Sequence, residues 1–179
     1  MISLNIGGVK LTGKHTALRE SILFGVLGGL TFALKVAMAP LPNIEPVSLL
    51  VMVYASVLGW RALCPVYVYV ALEYMIWGFG LWSACYLYVW ALLALLAILL
   101  RRMESPIGWA VLGGAFGLCF GALCALTYWV AGGWQFALSW WFQGIPFDLI
   151  HCGGNFVMAL VLFQPLKRVL ARLTAPAGR

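Results

Sequence analysis

The stretch SILFGVLGGLTFALKVAMA, residues 21–39, carries a single charge, Lys35. A membrane-spanning helix needs about 20 predominantly apolar residues, so this run is long enough to cross a bilayer. Working outward from it, comparable runs recur at 47–60, 62–80, 84–100, 107–131 and 145–165. Pro46, Pro106 and Pro146 stand near the starts of three of them, and Pro65 falls in the first turn of another. Those are the places where a proline costs a helix least, because the first amides have no partner inside the helix. The whole chain agrees with its parts: 64% of its 179 residues are hydrophobic and only 9% are charged. A soluble domain carries roughly a quarter charged residues. The expected fold is therefore an all-α membrane protein, a six-transmembrane-helix bundle with lipid as its main solvent.

The basic residues orient that bundle. Lys10, Lys14 and Arg19 precede the first run, and Arg61 lies between the second and third. Arg101 and Arg102 lie between the fourth and fifth, and Lys167, Arg168, Arg172 and Arg179 follow the sixth. Segments 40–46, 81–83 and 132–144 contain no Lys or Arg. Apart from Lys35, every cation falls on one side of a six-span arrangement, which marks that side as cytoplasmic and places both termini there. The net charge of +6 thus reads as topology rather than as a nucleic-acid surface. Residues 1–20 read as a cytoplasmic segment that lacks the short apolar core of a signal peptide. Residues 21–165 form the membrane domain, and 166–179 a basic cytoplasmic tail.

Two helices carry ridges of small residues. Gly25, Gly29, Ala33 and Ala37 repeat every four positions in the first run, and Gly113, Gly117, Gly121 and Ala125 do so in the fifth. Such a ridge lies along one helix face and lets helices approach closely in lipid. The sequence leaves open whether either ridge faces a neighbour inside the bundle or a partner outside it. Lys35 lies about 200° round from Ala33, at 100° per residue. It is expected to point into the protein or toward a polar cavity, or else to snorkel outward.

The side without cations is chemically distinct. It carries Asn43, Glu45 and Asp148, with Glu73 inside the third run. Trp77, Trp82, Trp129, Trp134, Trp140 and Trp141 are six of the nine tryptophans, and they lie near that side with Tyr86 and Tyr128. An aromatic belt explains some of these rings; the excess over the other side suggests walls for a ligand. Asp148, His151 and Asn155 are spaced i, i+3 and i+7 and share one helix face. Three hydrogen-bonding groups on a membrane helix need partners inside the protein, as structural glue or as a ligand or proton site. Cys85 stands beside Trp82 and Tyr86.

Nothing points to catalysis. Gly8-Val-Lys-Leu-Thr-Gly13-Lys14-His15 has the spacing of a phosphate-binding loop, but His15 stands where Ser or Thr is needed to hold magnesium. No zinc-protease or nucleophile-elbow pattern occurs. Neither a metal nor a cofactor is expected, and the chain reads as no enzyme. Glu73, Asp148 and His151 are the only set from which an intramembrane hydrolase could be built.

Together these features resemble the substrate-binding S component of energy-coupling factor (ECF) transporters, the vitamin importers of prokaryotes. Ala33-Leu-Lys-Val-Ala37 is similar to the Ala-x-x-x-Ala motif by which S components dock on the T subunit. Leu41-Pro-Asn-Ile-Glu-Pro-Val47 resembles the first outer loop, which helps to cap the ligand. Gly144-Ile-Pro-Phe-Asp-Leu-Ile-His151 with Gly154-Asn-Phe156 resembles the start of the sixth helix. The resemblance implies a multi-pass protein of the cytoplasmic (inner) membrane. It implies a vitamin-like ligand bound from outside, and a T subunit and two cytoplasmic ATPases as partners. Lys35, Asn43, Glu45, Glu73, Trp77, Trp82, Cys85, Tyr86, Trp141, Asp148, His151 and Asn155 are the expected ligand contacts. Gly25, Gly29, Ala33 and Ala37 are the expected docking face. Some cobalamin-binding relatives use a cysteine as a cobalt ligand, and Cys85 is the cysteine best placed for that. The alternatives are a stand-alone small-solute carrier of the same fold and, behind it, the intramembrane enzyme.

Overall fold

A computed structural model describes residues 4–6, 9–11, 13–41 and 44–175. Two short strands, β1 (Leu4–Ile6) and β2 (Val9–Leu11), pair antiparallel ahead of the first helix. The rest is helical. The helices are α1 (Gly13–Met38), α2 (Val47–Leu58), α3 (Leu63–Trp77), α4 (Leu81–Ala84), α5 (Val89–Leu99) and α6 (Pro106–Thr174). Short 3₁₀ turns at Gly59–Ala62 and Cys85–Leu87 join α2 to α3 and α4 to α5. Four helical runs are long and apolar enough to cross a membrane: Ala17–Met38, Val47–Trp77, Leu81–Leu99 and Pro106–Thr174. Large apolar side chains such as Leu18, Ile22, Val26, Val157 and Val161 point away from the core. In water that surface would be costly, whereas in lipid it is the expected exterior. The chain is an all-α membrane protein.

Glycines divide two of the runs. Gly59 ends α2 at φ +60°, a backbone region that side chains with a Cβ rarely adopt. Beyond it the chain turns back, since Glu45, just before α2, and Glu73, near the end of α3, both face Lys35. Helix α6 breaks at Gly132 and Gly133, the latter at φ +83°. Its two arms then run antiparallel. Gly121 lies against Asp148, Gly117 against His151 and Gly113 against Asn155, so position rises along one arm as it falls along the other.

Here the structure corrects the expected boundaries. Segment 132–144 is not an open connection, because the reversal takes only Gly132 and Gly133 and helix resumes at once. Pro146 therefore sits inside the helix instead of at its start. It removes one backbone donor, and Asp148 lies within the helix rather than at its first turn. At the other end α6 continues to Thr174, through the basic residues expected to form a tail, and α1 begins at Gly13.

The core is centred on α2, whose residues Val47 to Ala55 are all buried against α5 and both arms of α6. Trp90, Trp109, Tyr69 and Phe163 are its largest buried side chains. Trp109 stacks on Phe163 at 4.0 Å and donates to the Met103 carbonyl at 2.9 Å. Ser105 caps α6 by accepting from the Gly108 amide, with Pro106 in the first turn. Helix α1 packs chiefly on α3. A Cβ on Gly28 would fall 2.6 Å from Val68 and 2.7 Å from the Pro65 carbonyl oxygen, so the two backbones meet only because position 28 has no side chain.

Candidate functional site

The polar residues converge at the end of the bundle where α1 finishes and α2 begins. Lys35, on the last turns of α1, reaches the Glu73 carboxylate on α3 with Nζ 2.6 Å from Oε2. Glu73 is fully buried, and the Lys35 side chain is 18% exposed. In a charge pair this deep, the mutual attraction of the two ions offsets much of the cost of taking each out of water. The ammonium also lies 5.3 Å from the Tyr86 ring, 5.8 Å from Trp82 and 6.0 Å from Tyr69, within reach of cation–π attraction. The Tyr86 hydroxyl is 3.5 Å from Nζ. Lys35 thus points inward and is engaged by Glu73 and the surrounding rings.

Beside this pair lies a partly open cavity of about 360 Å³. Its walls come from five places in the chain: Glu45 before α2, Trp82 and Tyr86 after α3, Phe120 to Cys124 on the first arm of α6, and Trp140 and Gly144 to His151 on the second. The rings form a nearly continuous line. Trp82 meets Tyr86 at 5.7 Å, Tyr86 meets Trp90 at 5.4 Å, Trp90 meets Phe120 at 5.6 Å and Phe120 meets the His151 imidazole at 5.0 Å. The small ridge of α6 is what admits the polar groups. A Cβ on Gly121 would collide with the Asp148 carboxylate, and its absence lets the Gly121 amide donate to Asp148 Oδ1 at 3.0 Å.

Two buried polar atoms on the cavity wall have no protein partner, Asp148 Oδ2 and His151 Nε2. Buried polar groups are almost always satisfied, so two orphans on one cavity are atoms suited to hold a ligand. Glu45 is half-buried in the connection before α2. Burial raises its carboxyl pKa above the usual value; Lys35 opposes that shift and Glu73 adds to it.

The expected residues divide by place. Glu45, Trp82, Tyr86, Asp148 and His151 share the cavity. Lys35 and Trp77 line a smaller depression of about 210 Å³ on the far side of Trp82, which serves as a wall of both. Glu73 lies beneath the two, paired with Lys35. Asn155 lies deeper, where its amide donates to Ser48 Oγ at 3.0 Å and ties α6 to α2. Trp141 faces a separate apolar depression with Trp129 and Trp134. Cys85 is fully buried and touches the Trp82 carbonyl and Cys124, and it is Cys124 that reaches the cavity wall. Asn43 lies outside the described residues.

Phe120, Cys124 and Phe147 are wall residues that the sequence did not single out, and Trp140, one of the rings expected to form walls, takes the place expected of Trp141. Trp140 and Trp141 are adjacent, and 100° of helix rotation decides which one faces inward. That rotation is set by the turn at Gly132 and Gly133. Phe120 sits beside Gly121 in the ridge of α6, which was the available signal.

The small-residue ridge of α1, the expected docking face, is placed as clearly. Gly25 and Gly29 have nothing within 4 Å of where a Cβ would be, and Ala33 and Ala37 are exposed. This ridge faces away from the bundle. Among the described residues no group of three or more His, Cys, Asp or Glu side chains could hold a metal ion. Compared with protein-family models, with curated proteins and with solved structures, the chain finds no match in any of the three.

Proposed function

We propose that this protein is the membrane-embedded substrate-binding component of an ECF-type importer. In this reading the chain crosses the cytoplasmic membrane six times, with both termini inside. The division of the long runs at Gly59 and at Gly132–Gly133 supports that count. The cavity end then faces outward, where it captures a vitamin-like micronutrient. The chain performs no catalysis; a T subunit and two ATPases supply the energy.

One observation carries the reading: a cavity with two orphaned polar atoms and aromatic walls, built from the α1–α2 connection and helix ends. Tyr69, Glu73, Trp90 and Asn155 also carry buried polar atoms without a partner among the described residues, so it is the position of Asp148 Oδ2 and His151 Nε2 on a partly open, aromatic-walled cavity that supports a ligand there. The outward-facing ridge on α1 supports the same reading, as a face whose glycines meet no partner among the described residues.

The test is uptake. The compound retained by the gently purified protein, identified by mass spectrometry, should enter cells only when a T subunit and ATPases are co-expressed. Uptake in a host lacking all energising subunits would instead make the protein a stand-alone carrier. Chemical turnover of the compound, lost in His151→Ala with binding retained, would make it an enzyme.

A further inference from the structure

The cavity's charge indicates the class of its ligand. Among the described residues Lys35 is the one Lys or Arg near this end of the bundle, and it is already paired with Glu73 at 2.6 Å. Among the described residues no Lys or Arg lines the cavity, whereas two carboxylates do, Glu45 and Asp148. Asp148 spends one oxygen on the Gly121 amide and leaves the other without a partner. An anionic ligand would meet two like charges and no free cation. A neutral ligand would leave Asp148 with only the Gly121 amide and Glu45 with only the attraction of Lys35, which Glu73 shares, once the cavity closed over it. A cation with N–H donors would satisfy both carboxylates by charge-assisted hydrogen bonds.

The other walls select for shape. Trp82, Tyr86, Phe120 and Trp140 offer ring faces and edges, which suit a flat ring and stabilise positive charge above them. His151 Nε2 supplies one more hydrogen-bonding position. A volume of about 360 Å³ lies at the small end of the roughly 300–1,000 Å³ typical of sites for drug-sized ligands. A corrinoid is far larger than such ligands. We infer that the cavity takes a small, ring-bearing organic cation, held between Glu45 and Asp148 with its ring against Trp82, Tyr86, Phe120 and Trp140. This rests on the reading of the protein as a substrate-binding component and narrows it.

A pH dependence follows, with a definite sign. The unliganded Glu45 carboxyl is raised above its ordinary value by burial. A bound cation requires the carboxylate, so affinity should rise as pH climbs through that raised value and level off above it. The groups facing Glu45 are Lys35 from α1, Glu73 and Tyr69 from α3, Tyr86 from the 3₁₀ turn, and Asp148 and His151 from α6. Protonation of His151 at low pH would also repel a cation, which Glu45→Gln distinguishes: that variant should lose the part of the slope due to residue 45.

The experiment is native mass spectrometry of the full-length protein against an equimolar panel of ring-bearing micronutrients. The panel holds thiamine and 1-methylnicotinamide as cations, pyridoxine and nicotinamide as neutral compounds, biotin and nicotinate as anions, and cyanocobalamin. Retention of a cation is expected, falling roughly tenfold or more in Glu45→Gln and in Asp148→Asn, as expected for loss of a hydrogen bond to a charged group. A variant that no longer elutes as the wild type is replaced by the pH series on the wild type, where retention should grow as pH rises. A retained cation indifferent to both substitutions and to pH would overturn the assigned site. A retained anion, neutral compound or cobalamin would overturn the ligand class and leave the binding-component reading standing. Retention of nothing would overturn both.

Discussion

The chain carries two ridges of small residues that look alike in sequence and do opposite things in space. Gly113, Gly117 and Gly121 on the first arm of α6 are buried against the second arm, close enough that a Cβ on any of them would crowd the facing chain. Gly25, Gly29, Ala33 and Ala37 on α1 face outward with open space beside their glycines. The difference lies in what opposes each ridge. The α6 ridge is brought onto its own continuation by the reversal at Gly132 and Gly133, so its partner is in the same chain. Helix α1 docks on α3 through the neighbouring Gly28 instead, and this leaves its four-residue repeat unused. A small-residue repeat therefore says that close approach is available, and only the surrounding fold says to whom.

Filling the inner ridge should have the largest effect. A Cβ on Gly117 would lie 2.8 Å from the backbone carbonyl of His151, which cannot swing aside as a side chain tip can. Gly117→Leu should push the arms of α6 apart, separate Phe120 from His151 and open the cavity. Overpacking typically costs about 1–3 kcal/mol and occasionally more, and a collision with backbone belongs at the upper end. Thermal unfolding in detergent should show a large drop, or no folded protein at all. A variant as stable as the wild type would mean that the two arms are not in contact there.

If the outer ridge docks on an energising partner as proposed, filling it should leave folding alone and stop uptake. Ala33→Trp adds bulk to an exposed face, so unfolding and ligand retention should match the wild type. Uptake in cells with the energising subunits should fall roughly tenfold or more, because a small ridge works only through close backbone approach. If retention falls together with uptake, the ridge supports the cavity and is not a docking face.

A third change tests whether the inner contact also holds the cavity floor. The Asn155 amide donates to Ser48 Oγ at 3.0 Å, and both residues are buried. Ser48→Ala leaves that amide without a partner, at a cost of about 1–3 kcal/mol. Unfolding should come earlier by that amount, and retention of a cation should change little, since neither residue lines the cavity. A large loss of retention with stability unchanged would place Ser48 and Asn155 in the binding site itself.

Much of this was legible in the sequence, and the gaps have physical causes. Apolar runs located the middle helices to within a few residues, because a bilayer demands long uninterrupted helix, but α1 begins at Gly13 rather than at 21, and the second arm of α6 runs well beyond 145–165 at both ends. The Asp148, His151, Asn155 face was readable from helical spacing alone. Yet only Asp148 and His151 reach the cavity, because Asn155 is one turn deeper and meets α2. The role of Lys35 was half legible. Its inward direction followed from the cost of a charge in lipid, whereas its pairing with Glu73 depends on how α1 and α3 cross at Gly28, which no local pattern encodes. The connection at 132–144 was misread for a related reason. Absence of cations suggests an exposed outer segment, but two glycines suffice for the reversal, and the residues after them keep helical backbone.

The smallest expected effect is also the sharpest control on the comparison. Gly25→Ala places a methyl group where nothing lies within 4 Å. On an exposed helix face alanine is the better helix former by about 1 kcal/mol. The environment in the bundle already imposes the helix, so only part of that preference should register, and unfolding should shift slightly upward, by less than about 0.5 kcal/mol. The matching change on the inner ridge, Gly113→Ala, puts its methyl 3.1 Å from Met52 Cε and 3.3 Å from the Asn155 carbonyl oxygen. Met52 can yield and the carbonyl cannot, so this variant should be destabilised where Gly25→Ala is not. Equal behaviour of the two alanines would mean that α1 is as tightly packed as α6, and the open ridge would lose its claim to a partner outside the chain.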